Sequence, residues 1–233
     1  MSALSPASSE GAGLYEELLA VHGIMRRGCD LVADAYERLA AGDPVDPTAL
    51  AATTRWLVAF VHHHHSSEDD LLWPVLRERF PDAVADLDRL TKEHEALDAE
   101  LDALTAATDA IAAAGGGRGN PGNPVLVVGH AAVAGNPAAQ EVRDILGNHL
   151  GAEEPVLKEL FPQVPDPDVV RLRRAVVAGA PRSGPHLVLG LMADPEPVPG
   201  AARMTAHFPA PVRWARPLLL GRYRRNLAAL LAS

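Results

Sequence analysis

The sequence predicts an all-α protein, an up-down antiparallel four-helix bundle followed by a C-terminal helical extension. Three observations lead there. Four long segments carry apolar residues at helical spacing, each bounded by stop signals. Period-two alternation is nearly absent, with "VLVV" at Val125 to Val128 and "HLVLGLM" at His186 to Met192 as the only competing stretches. After Val164 the texture changes to frequent Pro and Arg.

The first helix is expected from about Gly13 to Ala40, ending at "AGDP". The second is expected from about Pro47 to Arg79, and the third from about Asp82 to Ala114, where "GGGRGNPGNP" stops it. The fourth is expected from about Pro137 to Leu160, before "FPQVPDPD". The connection Gly115–Gly135 is then long for such a bundle and is expected to be mobile. In the extension one more helix is expected from about Val212 to Leu231, with Pro217 kinking it or marking its start. The domain division is residues 10–162 for the bundle and residues 163–233 for a Pro/Arg-rich extension with at least one helix, packed on the bundle.

Composition narrows the class. The 233 residues are 48% hydrophobic, enough for a core, but only 4% aromatic, so Leu, Val and Ala must fill it. A single cysteine, Cys29, excludes an internal disulfide framework and reads as a core residue. The N-terminal "MSALSPASSEGAG" lacks a charged-then-apolar leader, and no apolar run approaches a membrane span of about 20 residues. A soluble cytoplasmic protein is expected. The net charge of −9 is uneven: from Asp166 onward ten Arg face four acids, so an acidic body carries a basic tail. That tail is expected to pack on the body, with an unknown protein partner as the alternative; no nucleic-acid motif is present.

Helical phase selects the chemistry. Successive helical residues turn by about 100°. In "VHHHHSSEDDLLWP" this places His64 at the centre of the stripe formed by Leu57, Phe60, Val61, Leu71, Leu72 and Val75. Glu68, one turn on, shares that face. His62 points to the polar side, while His63 and His65 flank the stripe at about 100° on either side. The fourth helix repeats the arrangement in "HLGAE": His149 and Glu153 share a face with Val142, Ile145, Leu146 and Leu160. His94 shares a face with Leu87, Leu90, Leu97 and Leu101, with Asp98 one turn on. His22 shares one with Leu18, Met25 and Cys29. A core His on each of four helices, three of them followed by a carboxylate, would be costly without a cation. Imidazole and carboxylate ligands without thiolate suit iron, manganese or zinc. Carboxylates from two helices with several imidazoles are the pattern of a two-metal site in a bundle. Trp73 and Phe60 are expected to wall the site against water. His130, His186 and His207 carry no ligand role.

These residues resemble the hemerythrin-like (HHE cation-binding) domain over about residues 10–162: "HHHSSEDDLLWP", then a lone His on the next helix, then His-x-x-x-Glu on the last. The resemblance implies a non-heme diiron centre with an oxo or hydroxo bridge. Its metal ligands would be His22, His64, His94 and His149, with Glu68 and Glu153 as bridging carboxylates. Asp98 and His65 are candidates for an extra ligand or for a hydrogen-bond partner behind the ligands. The oxygen-carrying members have a second His where Asp98 stands and an Asp one residue beyond Glu153. The substitution at Asp98 opens a coordination position, which favours peroxide or NO chemistry over protected oxygen carriage. The tail is similar to extensions on actinobacterial hemerythrin-like proteins. The expected function is to bind, sense or react with O2, peroxide, NO or iron, with a small diatomic molecule or peroxide as ligand. A diiron peroxidase or catalase-like or NO-handling enzyme lies within that expectation. The alternative is a regulatory or interaction protein with a structural or sensing iron or zinc site.

Overall fold

The computed structural model describes residues 9–116 and 124–231, and every regular element among them is helical. Helix α1 spans Glu10–Ala41. The Ser9 hydroxyl accepts from the Ala12 N–H at its start, and Gly42 closes it in the left-handed conformation, φ 91°. Helix α2 spans Pro47–Ser67, and the Asp46 carboxylate accepts from the Thr48 and Ala49 N–H groups at its N-terminus. A π-helical segment, Glu68–Leu72, continues it into α3, Trp73–Arg79. After a 3₁₀ turn at Pro81–Ala83 comes α4, Val84–Gly116, and then α5, Pro124–Leu160. Four long helical stretches therefore pack together: α4 on α5, α5 on α1, α1 on α2, and α2 on α4.

The π segment changes which residues face inward. An uninterrupted helix would bury Leu71, Leu72 and Val75 with His64. The structure instead buries Leu72, Trp73 and Leu76, and leaves Leu71 and Val75 half-buried. The stripe is displaced by one residue, which is what one π turn does to a helix. Pro74 is the cause. It has no N–H for the Asp70 carbonyl, and its ring crowds that oxygen. The widened turn, in which the Trp73 N–H reaches back to the Glu68 carbonyl, lets the helix pass it.

Helix α5 begins thirteen residues earlier than the expected start at Pro137, which lies inside it. An internal proline costs about 3 kcal/mol. Burial of Val128 and Ala132 ahead of it offsets that cost. Gly135 also lets α5 approach closely, since a Cβ there would lie 2.6 Å from the Ala107 Cβ and 2.8 Å from the Tyr36 ring. "VLVV" is thus helical rather than a strand, and so is "HLVLGLM". Residues 115–116 and 124–135 of the connection expected to be mobile are helical, and the rest of it, residues 117–123, lies outside the described residues.

The C-terminal segment forms α6 (Asp166–Gly179), α7 (Pro185–Ala193), α8 (Ala201–Ala206), α9 (Ala210–Trp214) and α10 (Arg216–Leu231). Pro217 occupies the first turn of α10, so it marks a start and not a kink. Leu187, Leu189, Leu191, Met192, Tyr223 and Leu230 join the same apolar cluster as the inner faces of α1 and α2. Arg27 of α1 donates to the carbonyls of Leu191, Asp194 and Glu196. Part of the tail's positive charge meets the body, as Arg173 pairs with Glu10 and Glu17; in the reverse sense Asp168 of the tail pairs with Arg79 of α3. Among the described residues no helix is long and apolar enough to cross a membrane.

Candidate metal centre

Two apolar clusters occupy the interior, and a band of polar side chains lies between them. The larger cluster includes Leu57, Leu97, Leu101 and Leu146; the smaller includes Leu18, Trp73, Leu87 and Leu157. Each helix that spans the band carries one or two of its polar residues, because each stripe is apolar on both sides of its histidine. His22, His64, His65, Glu68, His94, His149 and Glu153 are all buried there.

They form two sets of four. His65, Glu68, His94 and His149 bring one ligand atom each within 4.8 Å of one another, and so do His22, His64, Glu68 and Glu153. Glu68 belongs to both. The Nε2 atoms of His94 and His149 are 3.1 Å apart. His64 Nε2 lies 3.1 Å from Glu68, and His94 Nε2 lies 3.5 Å from it. Glu153 is 3.6 Å from His22 Nε2 and 3.5 Å from His149 Nε2. Both oxygens of Glu68 and of Glu153 are buried without a hydrogen-bond partner, as are His22 Nε2, His64 Nε2 and both ring nitrogens of His65. Groups this buried are nearly always satisfied. A cation bound between them would satisfy the whole set at once.

The imidazoles are oriented from behind. His94 Nδ1 lies 3.0 Å from Asp69, His149 Nδ1 lies 2.9 Å from Glu93, and His22 Nδ1 lies 3.0 Å from Glu154. Each carboxylate comes from the neighbouring element: the π segment serves α4, α4 serves α5, and α5 serves α1. A carboxylate on Nδ1 fixes the tautomer with Nε2 free as a lone-pair donor, the arrangement typical of metal-bound histidine. Glu154 is itself held by Arg26, 2.6 Å away.

The electrostatics favour neutral imidazoles at His64, His65 and His94, and the charged form at His149. Burial, with the neighbouring histidines, holds His64 and His65 well below the usual imidazole range. Burial also lowers His94, against the hydrogen bond its Nδ1–H donates to Asp69. For His149 burial is the largest influence and pulls down, but Glu153 and Glu93 together outweigh it and raise it. Burial and the nearby Glu153 carboxylate push Glu68 well above the ordinary carboxyl range. Burial opposes ionisation of Glu153 as well, yet His22 and His149 bring it down to about 2. Two carboxylates share one dry space, and without a cation only one of them keeps its charge comfortably.

The six residues singled out by helical phase are therefore together. Of the two further candidates, His65 enters the cluster, stacked on His94 with ring centroids 4.1 Å apart. Asp98 does not: it is half-exposed and sits 3.1 Å from His62, on the outer side of α4 and α2. The i+4 spacing from His94 is the one that brings Glu153 in beside His149, so spacing alone does not decide; here the carboxylate is taken up by His62 of α2. Trp73 is fully buried and stacks over His94, whereas Phe60 is only half-buried and stacks on Trp56. Asp69, Glu93 and Glu154 escaped the sequence reading. The signal available was that each adjoins a core-facing residue in the chain, as in Glu68-Asp69, Glu93-His94 and Glu153-Glu154.

A family model, the hemerythrin HHE cation binding domain, matches residues 13–164. No curated protein and no solved structure matches the chain significantly.

Proposed function

The chain belongs to the hemerythrin HHE cation-binding domain family, and from that premise we propose that it is a non-heme diiron protein that binds, senses or reacts with O2, peroxide or NO. In this reading residues 10–162 form an up-down four-helix bundle and residues 163–233 an extension packed on it. One observation carries the proposal: two four-residue sets of buried ligand atoms share Glu68. His65, His94 and His149 would hold one metal and His22 and His64 the other, with Glu68 and Glu153 as the carboxylates shared between them. Bound iron would supply redox chemistry toward small oxygen or nitrogen species.

The chain's own residues define what such a site does. Asp69, Glu93 and Glu154 hold three imidazoles with Nε2 inward. Together with Glu68 and Glu153 they make five carboxylates, enough negative charge to favour two multivalent cations in a dry interior. Trp73 and the two apolar clusters keep bulk water out. With Asp98 turned outward, the ligand set leaves room for an exogenous ligand.

The test is metal quantification of protein produced in iron-containing medium, with spectra before and after oxygen exposure. About two iron ions per chain and oxygen-dependent near-ultraviolet and visible absorption are expected. About one zinc and no iron per chain would overturn the diiron reading in favour of a structural metal site.

A further inference from the structure

A cavity of about 280 Å³ opens against the metal band from the side of the C-terminal helices. Leu14, Leu18 and Val21 of α1 form one wall, and Leu172 and Val176 of α6 with Phe208 beyond α8 form the other. Its inner end is His64 and Glu68. His64 is 9% exposed, against 3% or less for the other residues of the two ligand sets, and it lines this cavity together with Glu68.

Size and polarity identify what fits. An apolar cavity of about 150 Å³ stays dry and takes benzene. This one is nearly twice that volume, far more than a diatomic molecule needs. Its lining is almost wholly apolar: the Ser67 hydroxyl is turned away, donating to the His63 carbonyl at 2.7 Å. The charged groups at its edge are committed to one another. Arg173 lies 2.8 Å from both Glu10 and Glu17, and His207 lies 3.1 Å from Glu17. Among the side chains that line it, no cation is left unpaired to recruit an acid.

We propose that this cavity binds a neutral, apolar organic molecule about the size of a bicyclic aromatic, held by α6 and the α8 region against the His64–Glu68 side of the metal centre. The inference deepens the metal reading above and rests on it for what lies at the inner end.

The probe is 1-fluoronaphthalene, followed by fluorine NMR on the full chain, with metal content measured on the same samples. Saturable one-to-one binding is expected. Val176→Trp, which fills the cavity, should weaken it at least ~10-fold, a change of about 1.4 kcal/mol, while metal content stays the same. Because Val176→Trp can disturb packing, Ala180→Trp at the exposed mouth is measured beside it and is expected to weaken binding in the same direction. In iron-loaded protein the bound fluorine signal should relax faster than in zinc-loaded protein, which places the probe beside the centre. Metal-replete chain that shows no saturable binding, or binding that neither variant weakens, overturns the proposal. Chain that binds the probe but retains no metal fails the metal reading and leaves the cavity assignment standing.

Discussion

Two polar regions of the described interior are built on opposite principles. Toward the far end of α1, Tyr36 and Thr108 are completely buried. The Tyr36 hydroxyl lies 2.9 Å from the Thr108 hydroxyl, which donates to the Leu104 carbonyl at 2.7 Å, so that pair is closed on itself. In the metal band, four carboxylate oxygens and several imidazole nitrogens make no hydrogen bond, although His64 Nε2 and Glu68 lie 3.1 Å apart. The same helices make both regions. The contrast shows that a buried hydroxyl can be satisfied within this fold, whereas the orphaned set has the composition of a cation site.

Chelation is the strongest way to break the contrast. Stripping metal should leave the band unsatisfied, and for a metal held at ~1,000 times its Kd the loss is about 4 kcal/mol. That corresponds to a drop of about 10 °C in Tm for a chain of this size, read by circular dichroism with and without chelator. An unchanged Tm would mean that the orphaned groups cost the native state nothing.

Substitution separates members of the histidine run. His64→Ala should lose metal, whereas His62→Ala, which removes only the contact to Asp98, should retain it. Elemental analysis of both variants decides this. Behind the ligands, Asp69→Asn removes the carboxylate that orients His94 and should lower metal affinity by about 10–100-fold without unfolding the protein. Competition with a chromophoric chelator measures it, and wild-type affinity would remove Asp69 from the site.

Acid probes the metal-free band. His64 and His65 are depressed in the folded chain, mainly by burial, so the unfolded chain takes up protons first as pH falls below about 6.5. Their contribution to stability is present above that value and is lost as the pH falls through the window beneath it. Urea titrations of metal-free chain across that window should show a falling midpoint, and His64→Ala should flatten the slope. The smallest effect belongs to the closed pair: Tyr36→Phe should cost about 1 kcal/mol and leave metal content untouched. A larger loss that chelator abolishes would show that the two regions are coupled.

Much of this was legible in the chain. Burial along a helix repeats locally, so the phase of Leu87, Leu90, Leu97 and Leu101 was sufficient to turn His94 inward. The same rule found His22, His64, His149, Glu68 and Glu153. It failed where the helix was not regular. Pro74 forced a π turn, and the stripe from Leu72 to Leu76 moved by one residue. It failed again at Pro137, where packing of Val128 and Ala132 kept the chain helical through a residue that usually starts or ends a helix.

What the sequence determined by itself was the four long helical stretches of the body and, where they are regular, the side each presents, because periodicity is a property of neighbours in the chain. Tertiary structure alone decided the cross-helix choices. It gave Asp69 to His94, Glu93 to His149 and Glu154 to His22, drew His65 in and left Asp98 outside. It also set α6 against α1, which created a cavity beside His64. Those outcomes depend on the distance and rotation between elements that are far apart in sequence, and no local spacing encodes either.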